Sequence, residues 1–119
     1  IIPKGMFGNP ADTPGLVAPL CWWFRAGINN ITAYTITKVF WEHVKEFHLV
    51  HDACTGYIPE SNLTAWYVPW HAGAIRYYQE IGTWKPEYTA KVKELIATER
   101  KLYGDLPDEA AFRALKILD

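Results

Sequence analysis

The chain has 119 residues, half of them hydrophobic and 21% charged, and 12 Lys and Arg face 13 Asp and Glu for a net charge of -1. That is the composition of one globular domain with a real core, not of a disordered segment, and it excludes a basic field for nucleic acid or an anionic membrane. No window holds about 18 uninterrupted apolar residues, so no membrane span is expected. The start, Ile1-Ile2-Pro3-Lys4-Gly5, lacks the charged and apolar regions of a secretory signal and reads as part of a longer parent chain.

Residues 3–19 are rich in Pro and Gly and predict a turn-rich connector. From Leu16 to Arg25 the chain is apolar and aromatic, which predicts a strand buried on both faces. A helix is expected from Ile31 to His48, capped by Asn29 or Asn30, with Ile36, Phe40, Val44 and Phe47 on its apolar face. After a break at Thr55–Pro59, Glu60–Trp66 reads as a short helix with Ser61 as its cap. Pro69 opens a helix that carries Tyr77-Tyr78 and ends at Gly82, and Pro86 and Gly104 bound the next. The apolar set of that helix is Tyr88, Val92, Leu95, Ile96, Leu102 and Tyr103. Pro107-Asp108-Glu109 starts a last helix whose acidic first turn suits the helix dipole, with Phe112, Leu115 and Leu118 on one face. A lone strand leaves its own backbone groups unpaired, so this one calls for a sheet supplied by another chain or by an absent N-terminal part.

Candidate chemistry is sparse. His48 and His51 are three apart, a metal-ligand spacing only if the helix runs past His48; otherwise they are a solvated helix end. Ser61, the one serine, lies in no nucleophile context, and Cys21 and Cys54 fit no metal or redox spacing. The two cysteines read as buried thiols or as one disulfide in an oxidising compartment. Trp22-Trp23-Phe24 has two readings, core on both faces or one ring in a ligand cleft or interface. No acid–base or nucleophile set converges, so an enzyme is not expected, and neither is a cofactor.

Four blocks carry a family resemblance. Ile2-Pro3-Lys4-Gly5-Met6-Phe7-Gly8 resembles an IPxGxY segment, with Phe7 in place of Tyr. Asp12-Thr13-Pro14-Gly15-Leu16-Val17-Ala18-Pro19 is similar to a D-x-P-T-x-G-x-P segment, shifted and reordered. Tyr34-Thr35-Ile36-Thr37-Lys38-Val39-Phe40-Trp41-Glu42 looks like YxITKALFEN, and Pro69 to Gly82 resembles PLHPGAERYYREKG, with Trp70 for Leu and Ala72 for the second Pro. In this order and spacing, over about residues 1–82, they resemble the C-terminal portion of the TAXI-type solute receptors of tripartite ATP-independent periplasmic (TRAP) transporters.

The resemblance implies an α/β fold: the C-terminal part of a two-lobed periplasmic-binding-protein fold, here mostly helical with one or two strands. Residues 1–25 would be the inter-lobe crossing segment and strand, 26–82 the helical part of a lobe, and 83–119 a C-terminal helical extension. The implied function is capture of a small organic acid in the periplasm for delivery to the permease subunits of a TRAP transporter. Phe7, Asp12 and Thr13 would then contact ligand or hinge, the rest of the cleft coming from the missing N-terminal part. From the residues alone, a small helical self-association or interaction module, a homo-oligomer without ligand, is the alternative.

Overall fold

The computed structural model describes residues 1–15, 22–25, 27–63, 67–104 and 108–119. Six α-helices carry the fold among them: α1 (Asn30–Glu42), α2 (Val44–His48), α3 (Pro59–Asn62), α4 (Ala72–Glu80), α5 (Pro86–Tyr103) and α6 (Glu109–Ala114). Two 3-10 turns, Met6–Gly8 and Asp52–Gly56, complete the regular structure, and Ile2 and Thr13 form an isolated antiparallel bridge.

Helix α1 starts where a polar side chain satisfies its first amides: Asn29 Oδ1 accepts from the Thr32 N–H at 2.8 Å. The single helix expected to His48 is two. His43 leaves the helical dihedrals (φ -112°, ψ 14°) and its Nδ1 turns to Glu46 at 2.9 Å. The apolar face differs too. Ala33 and Trp41 are the buried residues of α1, whereas Ile36, Phe40, Val44 and Phe47 are half-buried.

Helix α4 is the centre of the molecule. One of its faces, Ala72 and Ile75, packs with Val92 and Ile96 of α5, Phe112 of α6 and Ile117. Its other face, Ala74, Tyr77 and Tyr78, packs with Trp41 of α1 and Leu63. Gly73 allows α1 and α4 to approach closely. A Cβ there would collide with the Asn30 carbonyl oxygen and lie 2.8 Å from the Tyr34 nitrogen. Further along the same crossing, the Tyr34 hydroxyl donates to Glu80 Oε2 at 2.7 Å, and the Arg76 guanidinium lies 4.8 Å from the Tyr34 ring centroid. Helix α4 starts at Ala72, capped by His71, rather than at Pro69, and ends at Glu80. Gly82 closes its C-terminal turn: a positive φ of 73° lets its N–H reach the Gln79 carbonyl and that of Thr83 reach the Tyr78 carbonyl.

Helix α5 has the bounds that Pro86 and Gly104 predict. Helix α6 starts at Glu109 as its acidic signal predicts but ends at Ala114, so Leu115 and Leu118, expected with Phe112 on one helical face, lie beyond it and pack half-buried against the core. Val92 and Ile96 are the buried residues of α5, packed with Ala72 and Ile75 of α4 and Phe112 of α6, while Tyr88 packs half-buried on the other face of α4; Leu102 and Tyr103, expected in the apolar set, are exposed. Ile117 enters the core without helical spacing. Lys116 takes a left-handed φ of 56°, and the Ile117 N–H closes on the Phe112 carbonyl at 2.9 Å, turning Ile117 inward. Glu109 is clamped by Arg100 and Arg113, and bonds from both hold its carboxyl below the usual range.

The expected strand is the main correction. Its residues 16–21, Cys21 among them, lie outside the described ones, and residues 22–25 are in no strand. No strand occurs among the described residues, so the mostly helical part of the expectation holds and a β layer is not shown. The physical reason is local: residues 22–25 have no neighbouring strand with which to form a ladder. Instead of burying rings on two faces, Trp22, Trp23 and Phe24 are 57, 64 and 42% exposed. The molecule is correspondingly open. Its radius of gyration is 16.7 Å, against about 13.5 Å for a compact domain of this length.

Two outcomes test the α1–α4 crossing. Gly73→Ala forces overpacking against backbone atoms and is expected to destabilise by about 1–3 kcal/mol, read as a lowered Tm by circular dichroism. The bond to Glu80 and its charge hold the Tyr34 phenol above its ordinary value of 10.0. A raised folded-state pKa contributes stability below the unfolded value and loses it as pH rises through the folded one. The stability gap between wild type and Tyr34→Phe should therefore be open at neutral pH and close on alkaline titration; a gap that persists unchanged would remove this bond from the account.

Candidate functional site

The residues singled out by sequence lie together on the N-terminal segment. The bridge between Ile2 and Thr13, with N–H to carbonyl distances of 2.7 and 3.0 Å, closes residues 2–13 into a loop. Asp12 Oδ1 accepts from the Lys4 N–H at 2.8 Å, and the Thr13 hydroxyl donates to the Ala11 carbonyl at 3.0 Å. Asp12 and Thr13 thus hold the loop. Phe7 sits at its tip, in the left-handed region (φ 56°, ψ 23°), with its ring 92% exposed. None of the three is among the residues that wall the aromatic cavity beside α1 and α4.

That cavity has a volume of about 360 Å³ and opens between residues 22–25, α1, residues 67–71 and the start of α4. Aromatic rings make up much of its wall. Trp22 packs on Phe40 with ring centroids 5.0 Å apart, and Trp70 stands nearly perpendicular to Tyr78 at 5.6 Å. Beneath them the buried Trp41 Nε1–H donates to the Tyr78 hydroxyl at 2.9 Å. A Trp and a Tyr in a core need such a partner for their polar ends, and here each gives it to the other. Of the two readings of Trp22-Trp23-Phe24, the one that places a ring in a cleft fits this geometry.

Arg25, His71, Glu99 and Asp108 are the charged and imidazole residues that line the cavity. His71 is the N-cap of α4. Its Nδ1 accepts from the Gly73 N–H at 3.1 Å, so the proton is on Nε2, which donates to the Ile28 carbonyl at 3.1 Å. Asp108 Oδ2 lies 4.0 Å from Nε2, beyond hydrogen-bond range. Asp108 itself has a positive φ of 72° at the turn into α6, and Glu99 is half-buried on α5. His71 escapes sequence reasoning because His is not a preferred cap; the small pair Ala72-Gly73 after it is the signal of a close helix start. Glu99 and Asp108 escape it because only α5 and α6 packing on α4 brings them to the mouth.

The other sequence candidates are engaged locally. Helix α2 stops at His48, whose Nε2–H donates to the Tyr57 carbonyl at 2.9 Å, while His51 Nδ1 accepts from the Ala53 N–H, so the pair shares no helical face. Ser61 does not cap α3 from its first position. It is the third residue of α3, which runs Pro59–Asn62 rather than from Glu60, the expected end at Trp66 lying outside the described residues; its hydroxyl bonds the Gly56 and Ile58 carbonyls and accepts from the Ile58 N–H at 3.4 Å, so it caps from inside the helix. Cys54 is half-buried and bonded to no other cysteine among the described residues; its pairing with Cys21 lies outside them. Replacing Tyr78 by Phe would leave the buried Trp41 N–H without this acceptor. A loss of about 1–3 kcal/mol is expected, measured by urea unfolding, and a loss near zero would mean that the indole finds water instead.

No curated protein and no solved structure matches the chain. A family model, that of the NMT1-like family, matches residues 1–82. The match spans the N-terminal loop, the aromatic run and helices α1 to α4, and with them most of the cavity wall. The chain therefore belongs to the NMT1-like family, a periplasmic-binding-protein-like family related to solute receptors.

Proposed function

We propose that this chain is the ligand-binding part of a non-catalytic solute receptor of the TAXI type, which acts in the periplasm and hands a small organic solute to the permease of a TRAP transporter. The observation that carries this reading is the aromatic-walled cavity of about 360 Å³ in a chain of a receptor-related family. Sites for small molecules span about 300–1,000 Å³, with mostly apolar walls and a few placed polar groups. Phe7 and the loop held by Asp12 and Thr13 lie apart from that wall, so their part in this reading is at a hinge or a lobe contact rather than on the solute. If the solute is the small organic acid of TAXI-type receptors, Arg25 is the side chain that would take its carboxylate.

The remainder of such a receptor would cover the exposed apolar surface. The accessible surface is 8343 Å², against about 6,600 Å² for a compact protein of this size. That excess, with exposed Trp22 and Trp23, favours a second reading in which the same surface pairs with another copy of the chain.

A screen of small organic solutes by thermal unfolding separates the two. A receptor gains about 2.7 kcal/mol at a ligand concentration 100 times Kd, and the solute is recovered unchanged. Sedimentation that shows a dimer at every concentration, with no solute raising Tm, would support the self-association module instead.

A further inference from the structure

Five rings of the cavity wall form one continuous series. Trp22 meets Phe40 with centroids 5.0 Å apart and planes at 59°, and Phe40 meets Trp41 at 5.0 Å and 74°. Trp41 meets Tyr78 at 6.3 Å and 62°, and Tyr78 meets Trp70 at 5.6 Å and 83°. All five line the cavity. None of these pairs is stacked flat, so the wall offers both the electron-rich faces and the electron-poor edges of its rings. A guest ring can extend such a series edge to face, whereas a saturated body meets it through buried area alone.

Several polar side chains of the same wall are already engaged. The Thr37 hydroxyl donates to the Ala33 carbonyl at 2.8 Å, the Trp41 indole donates to the Tyr78 hydroxyl, and both His71 nitrogens are bonded to backbone groups. A solute with polar groups along its whole length would set some of them against rings and engaged side chains, at the cost of their hydration. Arg25, Glu99 and Asp108 carry both signs and by themselves choose no ligand charge.

Resting on the solute-receptor reading, we propose that the cavity takes an aromatic solute: one planar ring against the five-ring wall, with the polar groups confined to one end that stays toward water. On that reading the polar end is a carboxylate, so the solute class is an aryl-substituted monocarboxylic acid rather than a dicarboxylic or amino acid.

Calorimetric titration of the whole chain at neutral pH with 3-phenylpropionate, 3-cyclohexylpropionate and glutarate tests this. The phenyl acid is expected to bind at least tenfold more tightly than glutarate, which has a second carboxylate in place of the ring. Over the cyclohexyl acid it should gain about threefold or more, the factor that an edge-to-face ring pair adds beyond its area. Trp22→Leu removes the ring at one end of the series from an exposed stretch of chain and keeps an apolar side chain there. It should lower the phenyl-to-cyclohexyl ratio at unchanged Tm, whereas a merely structural role for Trp22 would weaken both acids alike. Independently of any variant, the ring protons of bound 3-phenylpropionate should move upfield in NMR spectra through the ring currents of the wall. Equal binding of the phenyl and cyclohexyl acids, tighter binding of glutarate, unshifted ring protons, or a ratio that Trp22→Leu leaves as in wild type would each overturn the aromatic assignment and leave the receptor reading standing. Where none of the three acids binds, the solute screen decides: a ring-bearing ligand upholds the assignment, a ligand without a ring overturns it alone, and no ligand at all overturns both.

Discussion

The close approach of α1 and α4 at Gly73 is the constraint on which the rest of the structure depends. Helix axes come this near only where one side contributes no Cβ, and here the missing atom would occupy the space of the Asn30 carbonyl oxygen. The approach brings Trp41 within reach of Tyr78 and Tyr34 within reach of Glu80. It also fixes which way α4 faces. With Ala74, Tyr77 and Tyr78 committed to α1, Ile75 and Ala72 are left to collect α5, α6 and the C-terminal turn. Neither core cluster survives alone, because α4 belongs to both.

The cavity follows from the same geometry. Trp41, Trp70 and Tyr78 are too large to interdigitate fully at a crossing this tight, so their rings stand edge to face and leave a concave surface above them. Trp22 and Phe24 close over it from the chain before α1. His71 links these parts: one imidazole caps α4 and at the same time anchors Ile28, just ahead of the α1 cap. A side chain engaged in this way positions neighbouring parts of the wall and contributes no free donor of its own to a ligand.

The openness of the molecule bears on how such a chain works. Apolar residues at Trp22, Trp23, Leu49 and Val50 remain in contact with water although the chain has ample apolar material for a core. Helices pair well through local contacts, but among the described residues the aromatic run before α1 has no layer on its outer side. On the proposed receptor reading, this is the surface that a second lobe would cover. Covering it on closure would join solute capture to a change of shape, with hydrophobic burial as the driving term.

Much of the helical part was legible in the sequence, because caps and stops act over a few residues. Asn29, Pro86, Gly82 and Gly104 set helix ends by satisfying or refusing backbone hydrogen bonds, and Asp108-Glu109 marks the last helix by charge. The four ordered motifs likewise pointed to a solute-receptor relative, and the family match over residues 1–82 agrees at that level. What the sequence could not decide were the faces and the site. The regular stripe Ile36, Phe40, Val44, Phe47 looked like the core, yet burial went to Ala33 and Trp41, since the position of Gly73 on α4 selects the side of α1 that can approach. The run at Trp22 read as a strand, and strand pairing depends on partners that no local pattern contains. Phe7, Asp12 and Thr13 were chosen by motif, whereas the cavity gathers Trp22, Trp41, Tyr78, Glu99 and Asp108 from positions up to 86 residues apart. Short-range hydrogen bonding is written in neighbouring residues; convergence of distant side chains is a property of how the helices pack, and only the tertiary structure decides it.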